Sequence, residues 1–255
     1  MWRWQVSTEP LPVSRSYANG ELQIEVDGGV VKLLINRPHK ANALSSPILE
    51  GVLEVLEQCI NADSVVCVLI TGSGERAFSG GADLAEMARS EGDPNYAEQY
   101  YGLWERVTTA LEASPLFTIA LINGACVAGG LSLALACDVR IATERAFLSY
   151  PRVAQGHLPG KFNLTRLVGL VGKSRAKLML LGSRRVSASE AQLWGLVDSL
   201  VDADNAWQCL EDMLAPLRES NATLLKASKS LFQDVDDDVA WEAAASILEE
   251  LNASR

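Results

Sequence analysis

Two glycine-bearing segments hold the residues best placed to do chemistry. They are Ala77-Phe78-Ser79-Gly80-Gly81-Ala82-Asp83-Leu84 and Asn123-Gly124-Ala125-Cys126-Val127-Ala128-Gly129-Gly130. Each follows an apolar, β-rich run and leads into a helical pattern. The first N–H groups of a helix have no partner inside it. Two such turns brought together aim two N–H groups at one oxygen. That arrangement is an oxyanion hole, which stabilises negative charge developing on a carbonyl.

The elements that must position these turns can be read along the chain. Leu22–Val26 and Val30–Ile35 read as strands joined by a hairpin turn at Asp27-Gly28-Gly29. Ser45 or Ser46 can cap a helix with Pro47 at its first position, running to about Asn61. Val65–Thr71 and Phe117–Ile122 are continuous apolar runs, as expected of strands buried on both faces. The polar stretch 88–97, with Gly92-Asp93-Pro94, reads as a mobile loop, followed by a helix over Tyr100–Ala113. A helix opens at Gly129, and Val139–Ala142 forms the next strand. Strand, turn and helix recur at a regular spacing, the repeat of a stacked β-β-α superhelix in the α/β class. From Lys173 onward the pattern is helical.

The 255 residues, 48% hydrophobic and 21% charged, suit one large domain or one domain with an appendage. Segment 1–20 reads as a loose N-terminal arm, 21–172 as the core and 173–255 as a helical region. The net charge of −10 argues against a nucleic-acid surface. No apolar run reaches membrane-spanning length, and no signal-peptide core follows Met1-Trp2-Arg3-Trp4. Cys59, Cys67, Cys126, Cys137 and Cys209 show no CxxC spacing and mostly sit in apolar runs, as thiols of a reducing compartment do. With His39 and His157 the only histidines, no zinc site assembles. A cytoplasmic protein without metal or resident cofactor is expected.

The ordered series Arg37-Pro38-His39-Lys40-Ala41-Asn42-Ala43-Leu44, Ile70-Thr71-Gly72, Ala77–Leu84, Ile122–Gly130, Ala136-Cys137-Asp138, Leu158-Pro159-Gly160 and Ala191–Val197 resembles the crotonase (enoyl-CoA hydratase/isomerase) superfamily. The likeness covers roughly residues 22–232. It implies a spiral of β-β-α turns and a C-terminal helical oligomerisation region that makes a homotrimer or a dimer of trimers. It also implies an acyl-CoA or acyl-carrier-protein thioester as substrate, coenzyme A entering as part of that substrate. By the same resemblance, the N–H groups of Ala82 and Gly129 are the oxyanion donors. His39, Ala41, Ala43, Leu44, Gly81, Asp83 and Leu84 line the pantetheine and adenine end.

Two positions depart from the family's hydratases, which hold water between two glutamates. Here those positions are Ser132 and Arg152. A serine hydroxyl is too weak an acid, and arginine stays protonated, so neither replaces a carboxylate in water addition. His157 and Lys161 supply further polar groups on the same expected wall, with Tyr150 beside them. Arg152 or Lys161 suits a substrate carboxylate, arginine in a bidentate manner. Thioester enolate chemistry without the hydratase glutamates orders the expectations: a decarboxylase-like lyase first, then an enoyl-CoA isomerase or hydratase-like enzyme, then a thioester hydrolase. A non-catalytic CoA-binding or scaffold member is the reading from another class. Lys226 and Lys229 read as surface charge on a late helix.

Overall fold

The computed structural model describes residues 14–233 and 238–253. In chain order the strands are β1 (Ser14–Tyr17), β2 (Leu22–Asp27), β3 (Val30–Ile35), β4 (Cys67–Gly72), β5 (Ala77–Ser79), β6 (Phe117–Ile122), β7 (Ala125–Val127), β8 (Val139–Thr143), β9 (Phe147–Ser149), β10 (Val186–Ser187) and β11 (Ser199–Val201). The helices are α1 (Ser46–Ile60), α2 (Leu84–Gly92), α3 (Pro94–Glu112), α4 (Gly129–Ala136), α5 (Lys161–Leu180), α6 (Ala188–Trp194), α7 (Ala206–Glu219), α8 (Ala222–Ser230) and α9 (Asp238–Ala253).

Among the described residues, a seven-stranded sheet runs in the order β1-β2-β3-β4-β6-β8-β11, and a four-stranded sheet in the order β10-β9-β7-β5. The first three strands are antiparallel; β3, β4, β6, β8 and β11 then run parallel. Each long parallel strand β4, β6 and β8 is followed by a short one, β5, β7 and β9, that joins the small sheet. Helices follow, which makes the β-β-α turn of the superhelix.

Side chains of a strand alternate between its faces. Val68 and Ile70 of β4 enter one core with Ala120 and Ile122 of β6, while Cys67 and Leu69 enter a second with Ile119 and Leu121. Helix α1 packs the first core through Val52, Val55 and Leu56, and α7 covers the second through Leu210 and Leu214. A sheet covered on both faces needs the unbroken apolar runs seen in the sequence.

Three expectations change. The stretch 88–97 is helical, not a loop: Asp93 ends α2 and caps α3, its carboxylate accepting from the amides of Asn95 and Tyr96. Asp-Pro here is a cap followed by proline in the first turn, where proline's missing N–H costs nothing. Within the expected arm, residues 1–13 lie outside the described residues, but Ser14–Tyr17 pairs with β2. The C-terminal region is not purely helical, since Ser199–Val201 adds a parallel strand beside β8.

Lys226 and Lys229 are also more than surface charge. Lys226 donates to the carbonyls of Ile60 and Ala62, beyond the end of α1. Lys229 pairs with Asp138 at 2.6 Å and donates to the Leu116 carbonyl. Lys226 thereby complements the carbonyl end of α1. Among the described residues no helix is long and apolar enough to cross a membrane, and no group of acidic, histidine or cysteine side chains could hold a metal ion.

Candidate active site

The Ala77–Leu84 segment leaves β5 and passes through Gly80 and Gly81 before Asp83 caps α2. The segment ending in Leu44 fixes its orientation. Leu44 N–H donates to the Gly81 carbonyl at 2.7 Å, and Asp83 N–H donates to the Leu44 carbonyl at 3.0 Å. In extended backbone alternate amides face opposite ways. The Ala82 N–H therefore points away from Leu44, toward the start of α4. Gly81 sits at φ +107°, a conformation side chains rarely adopt, and a Cβ there would stand 3.0 Å from the Gly129 nitrogen.

The second turn meets the first. Gly129 opens α4, so its N–H has no acceptor in the helix. A Cβ on Gly129 would lie 3.1 Å from the Ala82 nitrogen, and one on Gly130 only 2.4 Å from the Ser79 carbonyl oxygen. Glycine at these positions lets two backbones approach until the amides of Ala82 and Gly129 stand side by side. Among the described residues neither amide donates to a protein acceptor. Ala128, just before Gly129, has φ 47° and ψ −111°, a strained pair for a residue with a side chain.

Both amides border a cavity of about 380 Å³. Its walls come from α2 (Leu84, Met87), α3 (Tyr100, Tyr101, Trp104, Glu105, Thr108), α4 (Ser132) and the segment from Tyr150 into α5. The indole of Trp104 roofs Gly129, its Cη2 lying 2.6 Å from where a Cβ would be. Tyr100 stands edge-on to that indole, centroids 6.5 Å apart.

Of the residues proposed from sequence, Ala82, Gly129, Ser132, Arg152 and Lys161 meet at this cavity. Ser132 is buried one turn into α4, its hydroxyl donating to the Ala128 carbonyl at 3.2 Å. His157 is not among the cavity residues. A turn between Arg152 and His157, closed by His157 N–H to the Arg152 carbonyl at 2.9 Å, places the imidazole 3.4 Å from Glu91 at the end of α2.

Of the residues expected at the pantetheine and adenine end, only Leu84 lines the cavity. His39 and Ala41 are exposed, Ala43 is half-buried, and Leu84 is exposed at the cavity mouth. Leu44 and Gly81 contribute backbone. The Asp83 side chain is engaged elsewhere: it caps α2 through the Ala85 amide, pairs with buried Arg37 at 3.0 Å and reaches Lys40 at 3.5 Å. Burial works to raise its pKa, but the Arg37 hydrogen bond, the Ala85 amide and the Lys40 and Arg37 charges outweigh it, and the carboxyl is held below its ordinary value.

The sequence reading passed over the α3 wall and Asn163. Tyr100, Trp104 and Glu105 lie on the helix expected over Tyr100–Ala113, but nothing in its spacing says that this face meets the cavity. Asn163 Nδ2 donates to the Tyr150 hydroxyl at 2.7 Å. Burial pushes the Tyr150 phenol above its usual pKa, while Ser132, Arg152 and Asn163 act to lower it. Burial pushes Tyr100 up to about 12. Both phenols stay protonated at neutral pH. Glu86 faces away from this chemistry: it accepts from the Ser46 amide and hydroxyl at the start of α1. Glu144 is exposed in a turn.

Residues 25–250 match the family profile described as enoyl-CoA hydratase/isomerase. The chain belongs to that family. It is 31% identical over 227 residues to the short-chain-enoyl-CoA hydratase of Clostridium acetobutylicum, covering 87% of this chain and 86% of the relative. It is 32% identical over 223 residues to the 2,3-dehydroadipyl-CoA hydratase of Escherichia coli (strain K12), covering 88% and 85%. The crystal structure of an enoyl-CoA hydratase from Bacillus anthracis superposes with a TM-score of 0.80 at 29% identity, covering 90% of this chain and 88% of that one.

Proposed function

We propose that this family member binds an acyl-CoA thioester and stabilises its enolate between the amides of Ala82 and Gly129. The observation that carries this is the meeting of those two unpaired N–H groups at the edge of one cavity. Preorganised donors of this kind supply roughly 3–4 kcal/mol each to a developing oxyanion. The side bearing His39, Ala41, Ala43 and Leu84 is the one from which the pantetheine arm would enter.

Within that class we assign the protein to thioesters whose acyl group carries a carboxylate, with loss of carbon dioxide as the reaction. Arg152 and Lys161 bring two cations to a cavity wall that has serine and arginine at the two positions expected of hydratase glutamates. Decarboxylation makes the enolate by breaking a C–C bond, so it needs an oxyanion hole and a proton donor but no base to start it. The 2,3-dehydroadipyl-CoA hydratase relative is named for a thioester with a distal carboxylate, which supports a carboxylated acyl group here.

The relatives' names favour a second reading, an enoyl-CoA hydratase or isomerase, and fit it better than they fit a lyase. Glu105 on α3 supplies the one structural observation on its side, a carboxylate residue lining the same cavity.

A mass-spectrometric turnover screen separates the readings. The panel is crotonyl-, 3-enoyl-, malonyl-, methylmalonyl- and 3-methylglutaconyl-CoA. Loss of carbon dioxide from a carboxylated member supports the lyase. Hydration or double-bond migration at an enzymatic rate, abolished by Glu105→Gln, replaces it with the second reading. CoA binding without any turnover favours a non-catalytic role or a carrier-protein thioester. The homotrimer or dimer of trimers that the resemblance implies is kept as a proposal, which sedimentation checks.

A further inference from the structure

One hydroxyl in the cavity wall is held by a side-chain amide. Asn163 Nδ2 donates to Tyr150 Oη at 2.7 Å, so the amide supplies the hydrogen of that bond. The phenol's own proton is left for another acceptor. Ser132 stands beside Tyr150, but its hydroxyl donates to the Ala128 carbonyl at 3.2 Å. That carbonyl also takes the Ser132 N–H at 3.0 Å. Asn163 thus donates to Tyr150, and Ser132 separately to the Ala128 carbonyl. That carbonyl belongs to the peptide unit whose N–H is the Gly129 oxyanion donor.

The other polar groups around the cavity are less suited to hand over a proton. Arg152 is too weak an acid. Lys161 is exposed at the start of α5. His157 faces Glu91. Among the described residues the buried Tyr100 hydroxyl meets no partner at hydrogen-bond geometry, though the Trp104 indole lies beside it. Tyr150 is 3% exposed, borders the cavity, and is held by Asn163.

We propose that Tyr150 is the proton donor that quenches the thioester enolate at its α-carbon, and that Asn163 is the positioning residue that holds the phenol oxygen at the cavity wall. The proposal rests on the thioester-enolate reading above. In a decarboxylation the bond from Cα to the carboxylate breaks, carbon dioxide leaves, and the electron pair passes to the thioester oxygen between the two amides. Cα then takes the Tyr150 proton as the carbonyl re-forms. The phenolate left on Tyr150 regains a proton from water.

Acetoacetyl-CoA tests this without knowledge of the native substrate, because it enolises in mildly alkaline water. Its bound enolate is detected as a near-ultraviolet difference band, and a downward pH jump in a stopped-flow mixer then follows protonation at carbon. Wild type is expected to show the band and to ketonise fast. Tyr150→Phe is expected to keep the band and the dissociation constant while ketonising on the order of a hundredfold slower, the range of general acid catalysis. Asn163→Ala is expected to slow the same step about tenfold at unchanged affinity, as loss of one orienting hydrogen bond would. Absence of the band in wild type overturns the thioester-enolate reading and the donor with it. A band present in Tyr150→Phe but decaying at the wild-type rate overturns the donor alone. A rate loss matched by an equal loss of affinity assigns Tyr150 to packing and also overturns it.

Discussion

Gly129 and Trp104 touch so closely that the position of a Cβ on Gly129 falls 2.6 Å from the indole Cη2. The indole is held in turn by Tyr100, so it cannot retreat freely. Gly129→Ala is therefore expected to push α3 and α4 apart where the oxyanion amides meet. Turnover on whichever thioester the screen identifies should fall about 10²–10³-fold, the effect of losing one such donor. Circular dichroism should show the secondary structure retained. Unchanged kcat in a folded variant would remove Gly129 from the oxyanion site.

Much of this geometry was legible in the chain. The strands β4 and β6 are apolar runs because both their faces are covered, and the glycines of both turns stand where backbones cross. The helix carrying the α3 wall was legible from Tyr100 on, but its role at the site was not; its first turns were hidden because Asp93-Pro94 can end a helix in a loop or start a new one. The short strands β10 and β11 carry no pattern of their own; their pairing with β9 and β8 is a tertiary fact. The partners of Asp83 were hidden for a similar reason. Arg37 lies 46 residues away in sequence, and only the bridge between Leu44 and Ala82 brings the two together.

That buried pair sets a pH dependence. The Asp83 carboxyl has its pKa lowered in the folded protein. A lowered carboxylate contributes stability above its unfolded pKa of about 3.9 and loses it as pH falls through the folded value. Asp83→Asn keeps a capping side chain but not the charge, and Arg37 retains Glu21 at 2.8 Å. The variant is expected to be less stable by roughly 3 kcal/mol at pH 7, the lower end for breaking a buried pair. Urea unfolding at a series of pH values should show the gap between wild type and variant closing below about pH 4. A gap constant across that window would mean the ion pair contributes nothing.

Ala128 holds φ 47° and ψ −111° immediately before the Gly129 donor. Such a conformation costs a residue with a side chain about 1–3 kcal/mol, while glycine gives back roughly 0.5–1 kcal/mol in chain entropy. Ala128→Gly is expected to stabilise the fold by about 1 kcal/mol and to raise Tm by about 2–4 °C for a protein of this size. Calorimetry decides it. A lower Tm would mean that the Ala128 methyl, which lies near Gly81, contributes more by packing than its backbone loses by strain.

Arg152 provides the sharpest test of the carboxylated substrate. It borders the cavity beside Tyr150 and Lys161, where a guanidinium can hold a carboxylate through two parallel hydrogen bonds. Hydrogen bonds to charged groups contribute about 1.5–3 kcal/mol, which corresponds to roughly a tenfold to hundredfold change in affinity. Arg152→Ala should weaken malonyl-CoA by that factor in titration calorimetry and leave butyryl-CoA nearly unchanged, because the shorter side chain removes the charge without touching the oxyanion amides. Arg152→Lys should recover only part of the loss, since an ammonium lacks the planar fork. Equal weakening of both ligands would show that Arg152 serves the coenzyme A portion or the wall itself, and the acyl carboxylate would lose its partner.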